Sequence, residues 1–88
     1  MTREQPAVAE EHVAQIWKEV LGAPDAPPEA TFFELGGQSI SAVRIAARIE
    51  EEIGVSVDIG DLFEDPDLTT FIRDVLAKAR ATADSSRA

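Results

Sequence analysis

The sequence predicts an all-α fold, a four-helix bundle with three principal helices and one short third helix. Apolar residues recur at helical spacing in residues 6–21, 39–53 and 65–79. The one stretch that alternates like a strand, residues 55–57, is too short to form a stable sheet alone and has no partner. The 88 residues include no cysteine, so packed apolar faces have to stabilise this small domain.

The first predicted helix begins at Pro6, which suits a first helical turn, and ends before Gly22. Trp17 lies within the apolar stripe of this helix, so we expect it in the core rather than stacked against a ligand. His12 is the single histidine, and we expect it at the surface. Residues 23–31 contain three prolines, which predicts a long loop after the helix.

The second predicted helix, residues 39–53, has two apolar strips. At ~100° per residue the larger strip forms the core face, and it consists of Ala42, Ile45, Ala46, Ile49 and Ile53. A smaller strip, here called the outer strip, consists of Ile40, Val43 and Ala47. Two interpretations of the outer strip stay open: the short third helix covers it, or it is a docking surface for other proteins. Both hold if Ala47 is covered while Ile40 and Val43 stay exposed.

Gly54 ends the second helix, and we expect an extended connector that buries Val55 or Val57. Residues 58–64 are predicted to form one or two turns of helix. Gly60 makes this helix less stable than alanine would, by about 1 kcal/mol. The apolar contacts of this short helix are expected to be Ile59, Leu62 and Phe63.

The last helix is predicted to start with the N-cap and first-turn signature Asp65-Pro66-Asp67 and to run to Ala79. Residues 80–88 lack large apolar side chains, so we expect a disordered tail there. Residues 1–5 are likewise expected to be a disordered N-terminus. The predicted domain therefore covers residues 6–79.

Charge and hydropathy indicate which partners and which location to expect for this protein. Seventeen acidic residues against eight basic ones give a formal charge of −9, so nucleic acid and anionic membranes are poor partners and basic protein surfaces are better ones. The N-terminus lacks the apolar segment of a signal peptide, and no apolar run approaches the ~20 residues of a membrane span. We therefore expect a cytoplasmic protein.

Two consecutive glycines precede the second helix, in the segment Leu35-Gly36-Gly37-Gln38-Ser39. Glycine accepts backbone conformations that other residues avoid, so this turn can present Ser39 at the turn-to-helix junction. Phe32, Phe33 and Leu35 are expected to return apolar side chains toward the core and to anchor the loop. An anchored loop can hold Ser39 in a defined place and leave it exposed.

Residue chemistry alone leaves several interpretations of Ser39. As an N-cap, its hydroxyl would accept a backbone N–H and stabilise the fold by about 1 kcal/mol. A hydrolase nucleophile would need a histidine base, and the only histidine belongs to the first helix. A metal site is a further candidate, because acidic residues lie close together at Asp58, Asp61, Glu64, Asp65 and Asp67. A calcium loop that starts at Asp65 would need glycine at its sixth position and glutamate at its twelfth, where this chain has Thr70 and Leu76. The positive end of the second helix would favour an attached phosphodiester.

The segment Phe-Phe-Glu-Leu-Gly-Gly-Gln-Ser-Ile-Ser-Ala, residues 32–42, resembles the attachment site of the phosphopantetheine-carrier family. The double glycine is most similar to a peptidyl carrier (thiolation) domain of nonribosomal peptide synthesis. The resemblance extends through Ile-Gly-Asp-Leu-Phe-Glu-Asp-Pro, residues 59–66, and covers residues 8–78. Carriers often have Asp or His before the serine, whereas this chain has Gln38, which blurs the pathway and partners that are implied.

The resemblance implies that Ser39 holds a covalent 4'-phosphopantetheine, with Gly37 and Gln38 beside it in the cofactor site. A phosphopantetheinyl transferase would attach the arm from coenzyme A with Mg²⁺, so this chain would be a substrate and not an enzyme. An adenylation enzyme would load an aminoacyl thioester, and condensation, thioesterase or tailoring enzymes would use it, for example in antibiotic biosynthesis. The residues expected to dock these partners are Ile40, Val43, Ala47, Leu62 and Phe63.

Two alternatives accompany this interpretation. One is an acyl carrier protein for polyketide or fatty-acid synthesis, although the pair Gly36-Gly37 favours the peptidyl type. The other lies outside the family and is an unmodified acidic helical interaction domain. In each case we expect a monomer, and because the chain starts at Met1 it is expected either as a free-standing protein or as one module of a longer one.

Overall fold

The computed structural model describes residues 6–87, with side chains from residue 9 to residue 81. It contains four helices, which are α1 (Pro6–Leu21), α2 (Ser39–Ile53), α3 (Ile59–Leu62) and α4 (Leu68–Arg87). The predicted all-α bundle with one short third helix is therefore confirmed. The predicted disorder of residues 1–5 and of Ala88 lies outside the described residues. None of the helices in the described part of the chain is long and apolar enough to cross a membrane.

The core forms where α1 packs against α2 and α4. Trp17 is fully buried at its centre, with its ring 5.3 Å from that of Phe71 and 6.2 Å from that of Phe32. This confirms the prediction of a core tryptophan. The larger apolar strip of α2 faces this core through its fully buried members, Ala42, Ile45 and Ile49.

The connector between α2 and α3 is extended, as the sequence predicts. Gly54 ends α2 with a φ of 83°, a left-handed conformation that glycine adopts without steric cost. Val55 is buried and Val57 packs against the core from its edge. Leu62 is the buried residue of α3 and holds this single turn against α2.

The ends of α4 differ from the sequence prediction. The helix begins at Leu68 rather than at Asp65, because Asp67 accepts a hydrogen bond from the Thr70 N–H at 2.8 Å and caps the first turn. The predicted helix end at Ala79 is also wrong, because α4 continues to Arg87. Residues 80–87 contain neither glycine nor proline, so nothing in the local sequence stops the helix.

Candidate functional site

The turn before α2 requires glycine twice, for two different reasons. Gly36 has a φ of 85°, in the left-handed region that favours glycine. At Gly37 the reason is space instead, because a Cβ at that position would lie 2.5 Å from the Phe32 ring. The Gly37 N–H also donates to the Phe32 carbonyl at 2.9 Å. The buried Phe32 ring therefore packs directly against the backbone two residues before Ser39.

The loop residues before this turn are fixed by reciprocal hydrogen bonds. The Thr31 N–H donates to Glu34 Oε1 at 2.9 Å, and the Glu34 N–H donates to Thr31 Oγ1 at 3.2 Å. This is the arrangement of a capping box. The Phe32 N–H donates across the molecule to the Pro66 carbonyl at 2.9 Å. The loop is thus attached to the segment between α3 and α4, as expected of an anchored loop.

Ser39 is the first residue of α2 and is exposed. The preceding residue, Gln38, is the N-cap, with extended backbone and no capping bond from its side chain. Ser39 is therefore not the N-cap, which was the simplest alternative for a serine at a helix start. The N–H groups in the first turn of a helix have no intrahelical acceptor, and they lie at the positive end of the helix dipole. An exposed hydroxyl beside these donors is a favourable place for a group that contains phosphate.

A second polar cluster lies near the opposite end of α2. Arg48 donates to Glu19 Oε1 of α1 at 2.7 Å and to Glu52 Oε2 at 2.8 Å. His12 Nε2 lies 2.7 Å from Glu52 Oε1. The hydrogen bonds from Arg48 are the main cause of the lowered pKa of both Glu19 and Glu52. Hydrogen bonds to Glu52 and then to Glu19 raise the pKa of Arg48.

This polar cluster rules out His12 as a base for Ser39. Glu52 follows Ser39 by thirteen residues, which is about 20 Å along a helix axis. A general base has to lie within hydrogen-bond reach of the hydroxyl that it deprotonates. A histidine paired with Glu52 is therefore at the wrong end of α2, and the site lacks the geometry of a serine hydrolase.

The acidic residues around α3 have separate structural partners. Asp58 accepts the Gly60 N–H at 3.0 Å and caps α3, while Asp67 caps α4. Asp61 lies 3.2 Å from Lys78 Nζ, and Asp65 accepts the Phe33 N–H at 2.8 Å. Within the part of the chain that the structure describes, no group of three potential ligands could hold a metal ion. These acids serve as caps, an ion pair and a loop anchor.

The outer strip of α2 is open to solvent next to Ser39. Ile40 is 62% exposed, Val43 is 51% exposed, and Ala47 is exposed as well. Helix α3 does not cover the strip, so the interpretation in which α3 covers it is wrong, also for Ala47. An exposed apolar surface of this kind is typical of sites that bind other proteins.

Among the apolar side chains of the loop and of α3, three that are predicted to contact the core are exposed, and one that is predicted to dock partners is buried. Leu62 is fully buried and cannot belong to a docking surface, which corrects its assignment, whereas Phe63 is 42% exposed. The sequence predicts that Phe33 points inward, yet it is 49% exposed, and Ile59 is 37% exposed. Phe32 and Phe33 are consecutive residues in a turn, so they face different directions and only one can reach the core. That local geometry is the signal by which exposure of one of them could have been predicted.

Comparison with known proteins identifies the class. Residues 11–75 match the family model described as "Phosphopantetheine attachment site". The chain is 45% identical over 71 residues to phosphinothricin tripeptide synthetase PhsC of Streptomyces viridochromogenes, which covers 78% of this chain and 6% of that protein. It is 48% identical over 67 residues to a plipastatin synthase protein of Bacillus subtilis, which covers 73% of this chain and 3% of that protein.

Solved structures agree with the fold. BlmI, described as a type-II acyl-carrier-protein from Streptomyces verticillus involved in bleomycin biosynthesis, superposes with a TM-score of 0.71 at 33% identity, covering 82% of this chain and 87% of that one. The structure of McyG A-PCP complexed with phenylalanyl-adenylate gives a TM-score of 0.66 at 31% identity, covering 76% of this chain and 10% of that one.

The family match and the four-helix fold together define the class of the chain as a small carrier domain. The chain belongs to the phosphopantetheine attachment-site family. Its match to peptide synthetases agrees with the predicted peptidyl carrier type, and the prosthetic group of the family is a covalent 4'-phosphopantetheine. Carrier domains are non-catalytic and work with adenylation and other enzymes of peptide synthesis. The chain spans only a few per cent of the length of the synthetases that it matches.

Proposed function

We propose that this chain is a peptidyl carrier whose 4'-phosphopantetheine is attached to Ser39 and holds aminoacyl or peptidyl groups as thioesters. The observation that supports the assignment to Ser39 is its exposure as the first residue of α2, two residues after the constrained pair Gly36-Gly37. The first-turn N–H groups fit the phosphate of the arm, because they can donate to its oxygens. Gly37 and Gln38 serve the same site by setting where α2 begins.

The attachment reaction needs little from this chain beyond presentation. The Ser39 hydroxyl oxygen bonds to the phosphorus of coenzyme A that carries the pantetheine arm, and the phosphoanhydride bond to the adenosine part breaks. Adenosine bisphosphate leaves, and the hydroxyl proton passes to a base of the transferase. His12 is paired near the far end of α2, and in this proposal the transferase supplies both the base and the Mg²⁺. This chain contributes an accessible oxygen in a fixed position.

The partners follow from the reactions that a thioester carrier has to undergo. An adenylation enzyme loads the aminoacyl group, and condensation, thioesterase or tailoring enzymes then act on it. The similarity to McyG A-PCP supports an adenylation partner, and the similarity to several peptide synthetases supports the peptidyl cargo. A tethered thioester stays at high effective concentration near each enzyme while the domain itself binds weakly and releases. The monomeric state and the cytoplasmic location predicted from the sequence belong to the same proposal.

The docking surface of this proposal consists of the outer strip together with Phe63. Ile40 and Val43 present apolar side chains beside Ser39, and Phe63 lies at the end of α3. A docking enzyme would bury these side chains when the arm enters its active site. The overall charge of −9 favours partners whose docking faces are basic around an apolar centre.

The assignment to Ser39 is tested by incubating the chain with coenzyme A, Mg²⁺ and a promiscuous phosphopantetheinyl transferase and measuring the intact mass. We expect the native chain to gain one phosphopantetheine and Ser39→Ala to gain none. Ser41→Ala is the matched control, because it removes a hydroxyl two residues further along the same helix and should be modified like the native chain. Modification of Ser39→Ala, or its absence from the native chain, would contradict the proposal.

An acyl carrier is the second candidate, and the likeness to BlmI, described as an acyl-carrier-protein, favours it specifically. The two candidates differ in cargo and not in the attachment site. The modified chain can be offered to amino-acid-activating adenylation enzymes and, separately, to acyl-transferring enzymes that use acyl-coenzyme A. Aminoacyl loading supports the peptidyl carrier, and loading with acyl groups alone supports the alternative.

A further inference from the structure

We propose that Asp65 is a positioning residue for the modification of Ser39, acting through the loop that precedes α2. Asp65 lies between α3 and α4, and its carboxylate accepts the Phe33 N–H at 2.8 Å, across 32 residues of sequence. The inference rests on the proposed attachment of the arm to Ser39. In this role Asp65 holds the loop before α2 in position, which neither the outer strip nor the glycine turn does.

The contacts form a continuous path from Asp65 to the attachment point. The Phe33 ring lies 5.5 Å from that of Phe32, whose own N–H donates to the carbonyl of Pro66, the residue after Asp65. The Phe32 ring then occupies the space beside Gly37 where a Cβ would stand. Gly37 is two residues from Ser39. Two adjacent backbone N–H groups of the loop are therefore bound by two adjacent residues of the α3–α4 segment.

The backbone conformation of Asp65 limits the residue types that suit this position. Asp65 has a φ of 65°, and within residues 6–87 it is the only residue other than glycine with a positive φ. This conformation costs free energy for most side chains, while Asp and Asn tolerate it better than others. Glycine would adopt it with less strain but would leave the Phe33 N–H without its carboxylate acceptor. The aspartate is therefore explained by the hydrogen bond rather than by the turn alone.

The path predicts how the loop responds when the acceptor is lost. Without the carboxylate, the Phe33 N–H has only solvent as a partner, and of the two adjacent hydrogen bonds to the α3–α4 segment only that from Phe32 to Pro66 remains. The Phe32 ring then has more freedom against Gly37, so the start of α2 samples more positions. Reactions that need aligned atoms lose rate when a reacting group is displaced, by up to about 100-fold for a 1 Å error. We expect slower attachment to Ser39 with binding of the transferase little changed.

Two substitutions separate the hydrogen bond from the backbone conformation. Asp65→Gly keeps the positive φ and removes the acceptor, whereas Asp65→Asn keeps an acceptor oxygen and removes the charge. Asp58→Ala is the control at the other end of α3, because Asp58 caps that helix and has no hydrogen bond to the loop. The three variants and the native chain are compared at a temperature where circular dichroism shows each to be folded.

The first measurement is amide hydrogen exchange of Phe33 and Gly37 in the unmodified protein, which does not depend on the proposed function. We expect about tenfold faster exchange in Asp65→Gly, the effect of losing a hydrogen bond to a charged group, and near-native exchange in Asp65→Asn and Asp58→Ala. Unchanged exchange in Asp65→Gly would show that the contact does not hold the loop, and would overturn the proposal even if Ser39 is modified normally.

The second measurement is the initial rate of phosphopantetheine attachment at varied carrier concentration. We expect kcat to fall at least about threefold for Asp65→Gly with KM within about twofold of native, and Asp65→Asn to restore most of the rate. A rise in KM alone would make Asp65 a contact for the transferase, and native rates in Asp65→Gly would make it merely structural. A folded Asp65→Asn variant that is as slow as Asp65→Gly also contradicts the proposal. If the native chain is not modified at all, the function of Ser39 fails, while amide exchange still decides the role of Asp65.

Discussion

The two apolar strips of α2 consist of similar aliphatic residues, but one strip is buried and the other is exposed. Ala42, Ile45 and Ile49 are fully buried in the core, where α2 packs against α1, whereas Ile40 and Val43 are more than half exposed on the same helix. Hydrophobic transfer alone would favour covering both strips, since each exposed isoleucine or valine loses about 1.5–3 kcal/mol of possible burial. The bundle buries one strip and leaves the other beside Ser39. One strip stabilises the domain, and the exposure of the other is consistent with its proposed role as a docking surface.

The strongest test of this comparison makes the same substitution, isoleucine to alanine, once on each strip. Ile45→Ala is expected to lower the free energy of unfolding by about 2–5 kcal/mol, because it leaves a cavity in the core. Ile40→Ala is expected to change it by less than about 0.5 kcal/mol, because the side chain is largely in solvent already. Urea unfolding followed by circular dichroism measures both. Similar losses for the two variants would break the distinction between the strips.

The next largest effect is expected at the turn that sets where α2 begins. Gly37→Ala places a methyl group in the space of the Phe32 ring, so we expect a loss of about 1–3 kcal/mol in the free energy of unfolding. Gly36→Ala is the matched control, since it meets no atom within 4 Å and only the positive φ penalises it, by about 1 kcal/mol. The same urea experiment compares them. A smaller loss at Gly37 than at Gly36 would show that the close approach of Phe32 is not what fixes the turn.

A smaller and pH-dependent effect is expected at the start of α4. Hydrogen bonds from the Thr70 backbone and then from its side chain are the main causes of the lowered pKa of Asp67. The folded state thus favours the ionised carboxylate, and the resulting stability is fully present above the ordinary pKa of aspartate and is lost as the pH falls through the lowered folded value.

Two variants at Asp67 isolate this cap. Asp67→Asn keeps a capping oxygen but does not titrate, so its stability should lose the part of the acid dependence that Asp67 provides. Asp67→Ala should be less stable than the native chain at neutral pH, by less than the Ile45→Ala loss. Thermal unfolding at pH 7 and at pH 3 measures both effects. An equal loss of stability on acidification in the native chain and in Asp67→Asn would exclude this carboxylate as a source of the acid dependence.

The sequence predicts α2 from Ser39 to Ile53 correctly, because its apolar period and its flanking glycines are local signals. It also predicts the burial of Trp17 and the exposure of Ser39. It does not predict that Asp67 rather than Asp65 caps α4, nor the hydrogen bond from the Phe33 N–H to Asp65. A contact across 32 residues leaves no periodic signal in a single sequence, and the period of one helical turn does not distinguish the buried Leu62 from the exposed Phe63.

The smallest expected effect on stability is the one that tests the function of the outer strip most directly. Val43→Asp places a charge on a side chain that is already half exposed, so unfolding should change by less than about 0.5 kcal/mol. Loading or transfer should nevertheless slow, because a docking enzyme would have to bury an unpaired charge in place of an apolar side chain. Glu51→Ala is the control, since it alters an exposed side chain of α2 outside both strips. If aminoacyl loading of the modified Val43→Asp chain proceeds at the native rate, the exposure of the outer strip has some other cause than docking.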